Sequence, residues 1–364
     1  MGFNCGIVGL PNVGKSTLFN ALTSTASAEA ANYPFCTIDP NIGRVSVPDF
    51  RLSELALIAE SKVIFPAQLE VVDIAGIVKG ASSGEGLGNK FLSNIRETDA
   101  IIHVVRCFDN EDVTHVSGNI DPISDIDIIE TELLLADLES VEKRFSGLEK
   151  KARSGDKQSK ETLEVLLAVH DVLKDGRPAI DAVIQDNQKK ILRQLQLITT
   201  KPMMFVCNVS ENDIISGNEY TKKVTDHANR RPVVLISAVI ESEIAVLDSE
   251  TEKMEFLRSI GLDSTGLSRI IRSGYDLLGL ITYFTVGPNE ARAWTISDGT
   301  KAPEAAGIIH TDFERGFICA ETISWLNYVE CGGEQKAKQT GKLRLEGKEY
   351  VVQDGDVMNF RFNV

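Results

Sequence analysis

The run Asn4 to Gly9 leads through Gly9-Leu10-Pro11-Asn12-Val13-Gly14-Lys15-Ser16 into Thr17 to Leu22, whose apolar positions follow helical spacing. A Gly-x4-Gly-Lys-Ser segment between a strand and a helix constrains the fold more than any other feature of the chain. Its backbone N–H groups must converge on a phosphate, with glycines where a side chain would hold main chain and ligand apart. Lys15 supplies a mobile cation that also serves phosphoryl chemistry, and Ser16 a hydroxyl for Mg2+. Asn12, Val13, Gly14 and Thr17 complete the cradle. The ligand this spacing fits is a nucleoside triphosphate.

Four further apolar runs, Leu69 to Val72, Ile101 to Val105, Met203 to Cys207 and Val233 to Ile236, have helical patterns between most of them. That alternation predicts an α/β fold with a parallel-rich sheet and crossover helices. In such sheets ligands gather at the carboxyl ends of the strands, and three of these runs end in polar residues there.

After the second run comes Asp73-Ile74-Ala75-Gly76. Its order after the phosphate loop makes Asp73 a magnesium ligand through water and the Gly76 N–H a sensor of the γ-phosphate. Thr37, upstream in Pro34-Phe35-Cys36-Thr37-Ile38, is a candidate second metal ligand. Gly80, Gly84, Gly86 and Gly88 follow closely, as expected of a segment that orders with the γ-phosphate. The position after Gly76, where small GTPases carry a water-orienting glutamine, is Ile77, so basal turnover should be slow. His115, in a polar stretch after the Ile101 run, is the histidine best placed to position water, whereas His103 lies inside an apolar run.

The third run ends in Asn208-Val209-Ser210-Glu211 where a guanine reader would have Asn-Lys-x-Asp. The lysine that packs on the base is gone and the carboxylate is one methylene longer, which should weaken or reverse guanine selectivity. Asn208 can still donate and accept toward an adenine. ATP is therefore the expected substrate, with Asn208, Val209, Glu211, Ser237 and Ala238 around the base. A base read elsewhere, with Glu211 a solvated acid, is the alternative.

Leu134, Leu138, Val141, Phe145, Leu148 and Ala152 recur at steps of four and three, and a Ser154-Gly155-Asp156 turn precedes an arm with Leu163, Leu166 and Leu173. The pattern predicts a coiled-coil hairpin. Between Val141 and Lys160, Lys143, Arg144, Lys150, Lys151, Arg153, Lys157 and Lys160 face only Glu142, Glu149 and Asp156, a local +4 that could meet RNA. A solvated helix face is the plainer reading. Lys336, Lys338, Lys342, Arg344 and Lys348 form a weaker cluster. From Thr282 the pattern turns to short strands, at Tyr283 to Gly287, Ala291 to Thr295 and Glu349 to Val352. These predict a small α+β domain in which Trp294, Trp325 and Tyr328 belong to the core.

The net charge of −15 argues against indiscriminate nucleic-acid binding. The six scattered cysteines include no C-x-x-C pair, which points to free thiols in a reducing cytosol. No apolar run reaches membrane-spanning length, so a cytoplasmic monomer without membrane contact is expected.

The phosphate loop, Asp73-Ile74-Ala75-Gly76 with its glycine-rich sequel, and Asn208-Val209-Ser210-Glu211 together resemble the YchF family of Obg-like ATPases. The resemblance spans the chain to its last segment, Gln353 to Val364. It implies a Mg2+-dependent ATPase with slow intrinsic hydrolysis that prefers ATP over GTP, associates with the 70S ribosome and its large subunit, and uses His115. It also implies a nucleotide domain (1–130 and 200–279), an inserted helical hairpin domain (131–199) and a ubiquitin-like TGS domain (280–364). A GTP-specific translation switch, or a ribosome-binding module with incidental hydrolysis, remains open beside it. A P-loop kinase is disfavoured, since no arginine-bearing lid sequence lies between the strands.

Overall fold

The computed structural model describes residues 3–30, 42–74, 87–109, 120–247 and 249–363. Thr37, Gly76 and His115 lie outside them. Two compact units emerge, one made chiefly of Phe3–Gly43 and Glu70–Ile270, the other of Arg44–Leu69 and Ile271–Val364.

The elements run β1 (Asn4–Val8), α1 (Lys15–Ala30), β2 (Ile42–Ser46), α2 (Phe50–Ile58), β3 (Val63–Phe65), β4 (Gln68–Asp73), α3 (Leu87–Glu97) and β5 (Ala100–Arg106). Next come α4 (Pro122–Arg153), α5 (Lys157–Lys174), α6 (Lys189–Gln194), β6 (Met203–Asn208), α7 (Glu219–His227), β7 (Val233–Ile236), α8 (Ala238–Ala245), α9 (Glu250–Ser259) and α10 (Gly266–Leu277). The chain ends with β8 (Leu280–Val286), β9 (Glu290–Ser297), α11 (Ala302–Ile309), α12 (Thr311–Arg315), β10 (Phe317–Ser324), α13 (Trp325–Cys331), α14 (Glu334–Gln339), β11 (Arg344–Glu346) and β12 (Asp356–Phe362).

The first sheet has the order β2-β4-β1-β5-β6-β7, and the pairs β4/β1, β1/β5, β5/β6 and β6/β7 are all parallel. All five apolar runs are strands, because a parallel strand covered on both faces is apolar at most positions. The whole of β5 is buried. Register aligns the functional ends: Ile7 faces Asp73, and Arg106 and Ile236 flank Asn208. Cys5, Cys107 and Cys207 are free and buried.

The hairpin is formed by α4 and α5, with α4 beginning at Pro122, well before the seam. Asp121 caps α4 by accepting from the Ser124 N–H, and Lys150, Lys151 and Arg153 in its last turn suit the negative end of the helix dipole. Gly155 turns the chain at φ 96°, and Asp156 caps α5. Leu134, Leu138, Val141, Phe145 and Leu148 pack with Val165, Leu166, Val169 and Leu173, joined by Leu195 and Leu197 from the returning chain. Each fully buried member, such as Val141 or Leu166, contributes about 1.5–3 kcal/mol. Leu163 stands outside this cluster.

The second unit holds a mixed sheet of order β11-β10-β12-β8-β9-β3. Tyr283, Ile296, Phe317, Met358 and Phe360 pack against Ala302, Ala305 and Ala306 of α11, whose small side chains let the helix approach the sheet. The span 349–352 is not a strand: Val351 makes only an isolated bridge with Lys301. Trp294 stacks on Tyr283 at 6.4 Å and donates to Thr285, and Tyr328 is buried, as core residues do.

Residues 44–69, which fall within the expected span 1–130, cluster instead with the second unit. There β3 adds to β9 in parallel, and Arg51 bridges Asp49 (2.7 Å) and Asp354 (2.6 Å) while lying 5.3 Å over the Phe284 ring.

Candidate functional site

The turn between β1 and α1 is built for close approach of main chain to ligand. Gly9 has φ 152°, and a Cβ there would lie 2.5 Å from the Val104 carbonyl oxygen. Gly14 has φ 98°, and a Cβ there would overlap the Asn208 side-chain amide. Asn12 adopts φ 63° without being glycine, and Val13 is buried behind the loop. Ser16 and Thr17 are exposed in the first turn of α1, where unpaired helical N–H groups and the helix dipole favour an anion.

Lys15 folds back over the loop, its Nζ donating to the Leu10 carbonyl at 2.7 Å. Burial lowers its pKa to about 8, against the opposing pull of Asp73. Burial likewise raises the pKa of Asp73, and Lys15 lowers it. Asp73 Oδ1 is buried with no hydrogen-bond partner among the described residues. A buried carboxylate oxygen needs a partner. An orphaned oxygen donor on Asp73 and the exposed Ser16 hydroxyl are the hard oxygen ligands that Mg2+ takes, so the residues present fit that ion.

Asn208 makes two bonds to main chain beside the loop. Its Nδ2 donates to the Val13 carbonyl at 3.0 Å and its Oδ1 accepts from the Ala238 N–H at 3.1 Å. The side chain thus braces the phosphate loop against the start of α8, leaving one N–H and one lone pair. The Val209 side chain is buried in the core with Ile214, Ile240 and Ile244, and its N–H is taken by the Ile236 carbonyl at 2.8 Å. Glu211 is exposed at the head of a short 3-10 turn. Ser237 is buried, and its hydroxyl has no partner among the described residues.

Several supporting residues escape sequence reading. Arg106 is almost fully buried beside Asn208, donates to the Phe108 carbonyl at 3.2 Å and lies 4.7 Å over the Phe108 ring. Asn218 ties the segment after Asn208 to β5 by donating to the Cys107 carbonyl at 2.8 Å and to Asp213 at 2.9 Å. Buried Glu241 accepts from the Gly266 N–H at 2.6 Å, capping α10. An arginine ending the apolar run Val104-Val105 was the one visible signal.

At the hairpin tip, Lys150, Lys151, Arg153, Lys157 and Lys160 are exposed. Arg144 does not belong with them. Its guanidinium donates to the Leu195 carbonyl at 2.8 Å, because its place on α4 faces the returning chain. Lys143 is paired with Glu139. Among the described residues, no helix is long and apolar enough to cross a membrane.

Residues 4–133 match a family model described as 50S ribosome-binding GTPase, and residues 280–363 match YchF-GTPase_C, described as a protein of unknown function (DUF933). Curated relatives named Ribosome-binding ATPase YchF include one from Haemophilus influenzae, 55% identical, and one from Bacillus subtilis, 54% identical, each alignment covering 100% of both chains. A solved structure described as the Schizosaccharomyces pombe YchF GTPase is 39% identical, with TM-score 0.89 over 99% of this chain and 98% of that one. A GTP-binding protein from Pyrococcus horikoshii shares the fold at TM-score 0.62 and 21% identity. With full-length identity at this level, the chain belongs to the YchF family.

Proposed function

We propose that this chain is a Mg2+-dependent ATPase that binds the ribosome and changes its engagement with the bound nucleotide. The observation that carries the reading is the joining of Lys15, Asp73 and the Asn208 brace around one phosphate loop. The names of full-length relatives, ribosome-binding ATPases, support the ribosome as partner and ATP as substrate, while the preference over GTP rests on the altered base reader.

Ser16 and Asp73, with Thr37, would hold Mg2+, which supplies charge neutralisation at the phosphates when bound. Lys15 exchanges the Leu10 carbonyl for phosphate oxygens and offsets the negative charge of the leaving diphosphate. The Gly76 N–H meets the γ-phosphate. His115 orients the attacking water, whose oxygen bonds to the γ-phosphorus as the bond to the bridging oxygen breaks. Ile77 cannot take that part, so basal turnover is expected to be slow.

Adenine is favoured because Val209 and Glu211 stand where a guanine reader has lysine and aspartate. Asn208 reaches the base only with the valences its bracing leaves over, so selectivity rests on main chain and pocket shape. Lys150, Lys151, Arg153, Lys157 and Lys160 meet ribosomal RNA phosphates, a contact that suits a local positive patch on an acidic protein. A GTP-specific switch is the second reading, favoured by the description of the family model that matches residues 4–133. Turnover of ATP by wild type and His115→Ala, with and without ribosomes, tests the proposal. Loss of turnover with retained ATP binding is expected, and unchanged turnover removes His115 from the mechanism.

A further inference from the structure

Arg96 ends α3, the first described helix after Asp73 and the glycine-rich stretch, and its guanidinium reaches two other parts of the first unit. Nη2 donates to the Ala136 carbonyl of α4 at 3.3 Å and Nη1 to the Gln196 carbonyl at 3.4 Å. Nη2 also lies 3.7 Å from the Asp137 carboxylate, which is fully buried. Asp137 in turn accepts from the Ile198 N–H (2.9 Å), the Thr199 N–H (2.7 Å) and the Thr199 hydroxyl (2.8 Å). Lys201 closes the circuit by donating to the Arg96 carbonyl at 3.0 Å and to the Thr98 carbonyl.

Three elements therefore meet at one charged, largely buried joint: the end of α3, the root of the hairpin, and the segment 196–201 that leads into β6 and Asn208. Packing alone does not require this. Gln196 holds φ 50°, a conformation disfavoured for a residue with a side chain, while presenting its carbonyl to Arg96. A guanidinium shared between two carbonyls and a carboxylate has directional bonds that break when one partner shifts by an ångström or two. Such a joint has discrete made and unmade states rather than a graded response.

We infer that the Arg96–Asp137 joint couples the nucleotide state to the hairpin, so that movement of α3 is passed to α4 and the basic tip. The inference rests on the proposed nucleotide-dependent ribosome binding and names how that dependence is carried. Arg96 is a positioning residue here and touches no nucleotide.

The test compares wild type, Arg96→Met and Arg96→Lys, full length, for ribosome affinity with a non-hydrolysable ATP analogue and with ADP. Melting temperature and nucleotide affinity are measured alongside. Wild type should discriminate the two nucleotides by about fivefold or more, the usual lower range of such couplings. Arg96→Met should bring the ratio to within twofold of one without changing nucleotide affinity, and Arg96→Lys should recover part of it. Retention of the wild-type ratio by a folded Arg96→Met variant overturns the joint and leaves the ribosome reading intact. A wild-type ratio of one defeats the switch reading instead. The joint is then judged by hydrogen exchange at the Ile198 and Thr199 amides in the free protein. Protection that differs between the ATP analogue and ADP in wild type but not in Arg96→Met supports it. Protection that ignores the nucleotide in wild type overturns it. Should Arg96→Met fail to fold, Arg96→Lys decides both readings, because the shorter contact it keeps must still reduce the coupling.

Discussion

Asn208 Nδ2 and the Val13 carbonyl are joined at 3.0 Å across 195 positions of sequence. That bond, with the Ala238 N–H at 3.1 Å on the other end of the amide, makes the shape of the phosphate loop depend on the strand that follows the hairpin. Asn208→Ala leaves two buried main-chain groups unpaired, at about 1–3 kcal/mol each. The share that falls on the Val13 carbonyl of the loop should appear as ATP affinity weakened by roughly 5- to 150-fold. Equilibrium titration with a fluorescent ATP analogue measures it, and an affinity within twofold of wild type would contradict the brace.

Lys15 is depressed to about 8 in the free protein, by burial first and against the attraction of Asp73. Triphosphate beside the ammonium should restore a higher value, so binding near pH 8.5 should take up a fraction of a proton. Calorimetry in buffers of different ionisation enthalpy reads that uptake directly. It should fade toward pH 6.5, where the lysine is already charged.

His103 is held neutral in the sheet, its pKa lowered to about 3 by burial, with Arg231, Lys15 and His227 adding to the effect. Its Nδ1 has no partner among the described residues. The folded value lies below the ordinary 6.5, so the unfolded chain takes up a proton that the folded chain refuses. Stability is full above about pH 6.5 and declines toward pH 3, by about 1.4 kcal/mol per pH unit from this group. Denaturant unfolding at pH 7, 6 and 5 should show a shallower decline for His103→Leu than for wild type. Parallel declines would show that the imidazole is not buried neutral.

The exposed cations of the hairpin tip make a prediction about salt. If Lys150, Lys151, Arg153 and Lys157 each neutralise an RNA phosphate, replacing all four by alanine should flatten the dependence of log affinity on log salt by about 3 units. Replacing Arg144 should leave that slope unchanged and lower the melting temperature, because its guanidinium is spent on the Leu195 carbonyl. Ribosome pelleting across a salt series separates the two.

Much of the first unit could be read from the chain, for physical reasons that also mark where reading stops. Parallel strands covered on both faces are continuous apolar runs, so β1, β4, β5, β6 and β7 stood out. The heptad seam from Leu134 to Leu148 announced the hairpin because the same positions must meet α5 turn after turn. Residues 44–69 carried no such mark. Ser61 binds the Gly287 carbonyl at 2.7 Å across 226 positions, and nothing local encodes that choice. The motif containing Asn208 was legible while its bracing of the loop was not, since an amide that can face a base can also clamp main chain. The burial of the Val209 side chain was hidden for a related reason: a motif gives order along the chain, whereas the strand decides which side chains turn into the core. Arg96 was invisible because two of its partners are carbonyls, which every residue has, and the third, Asp137, is met only through tertiary packing.

On the proposed function, a triphosphate with adenine preference binds at the turn between β1 and α1. Isothermal titration of the purified chain with ATP and with GTP, both with Mg2+, tests it most directly, with Lys15→Ala as the control. ATP should bind more tightly than GTP, and its heat should disappear in the Lys15→Ala variant. Tighter binding of GTP would contradict the base reading, and ATP binding unchanged by Lys15→Ala would contradict the site itself.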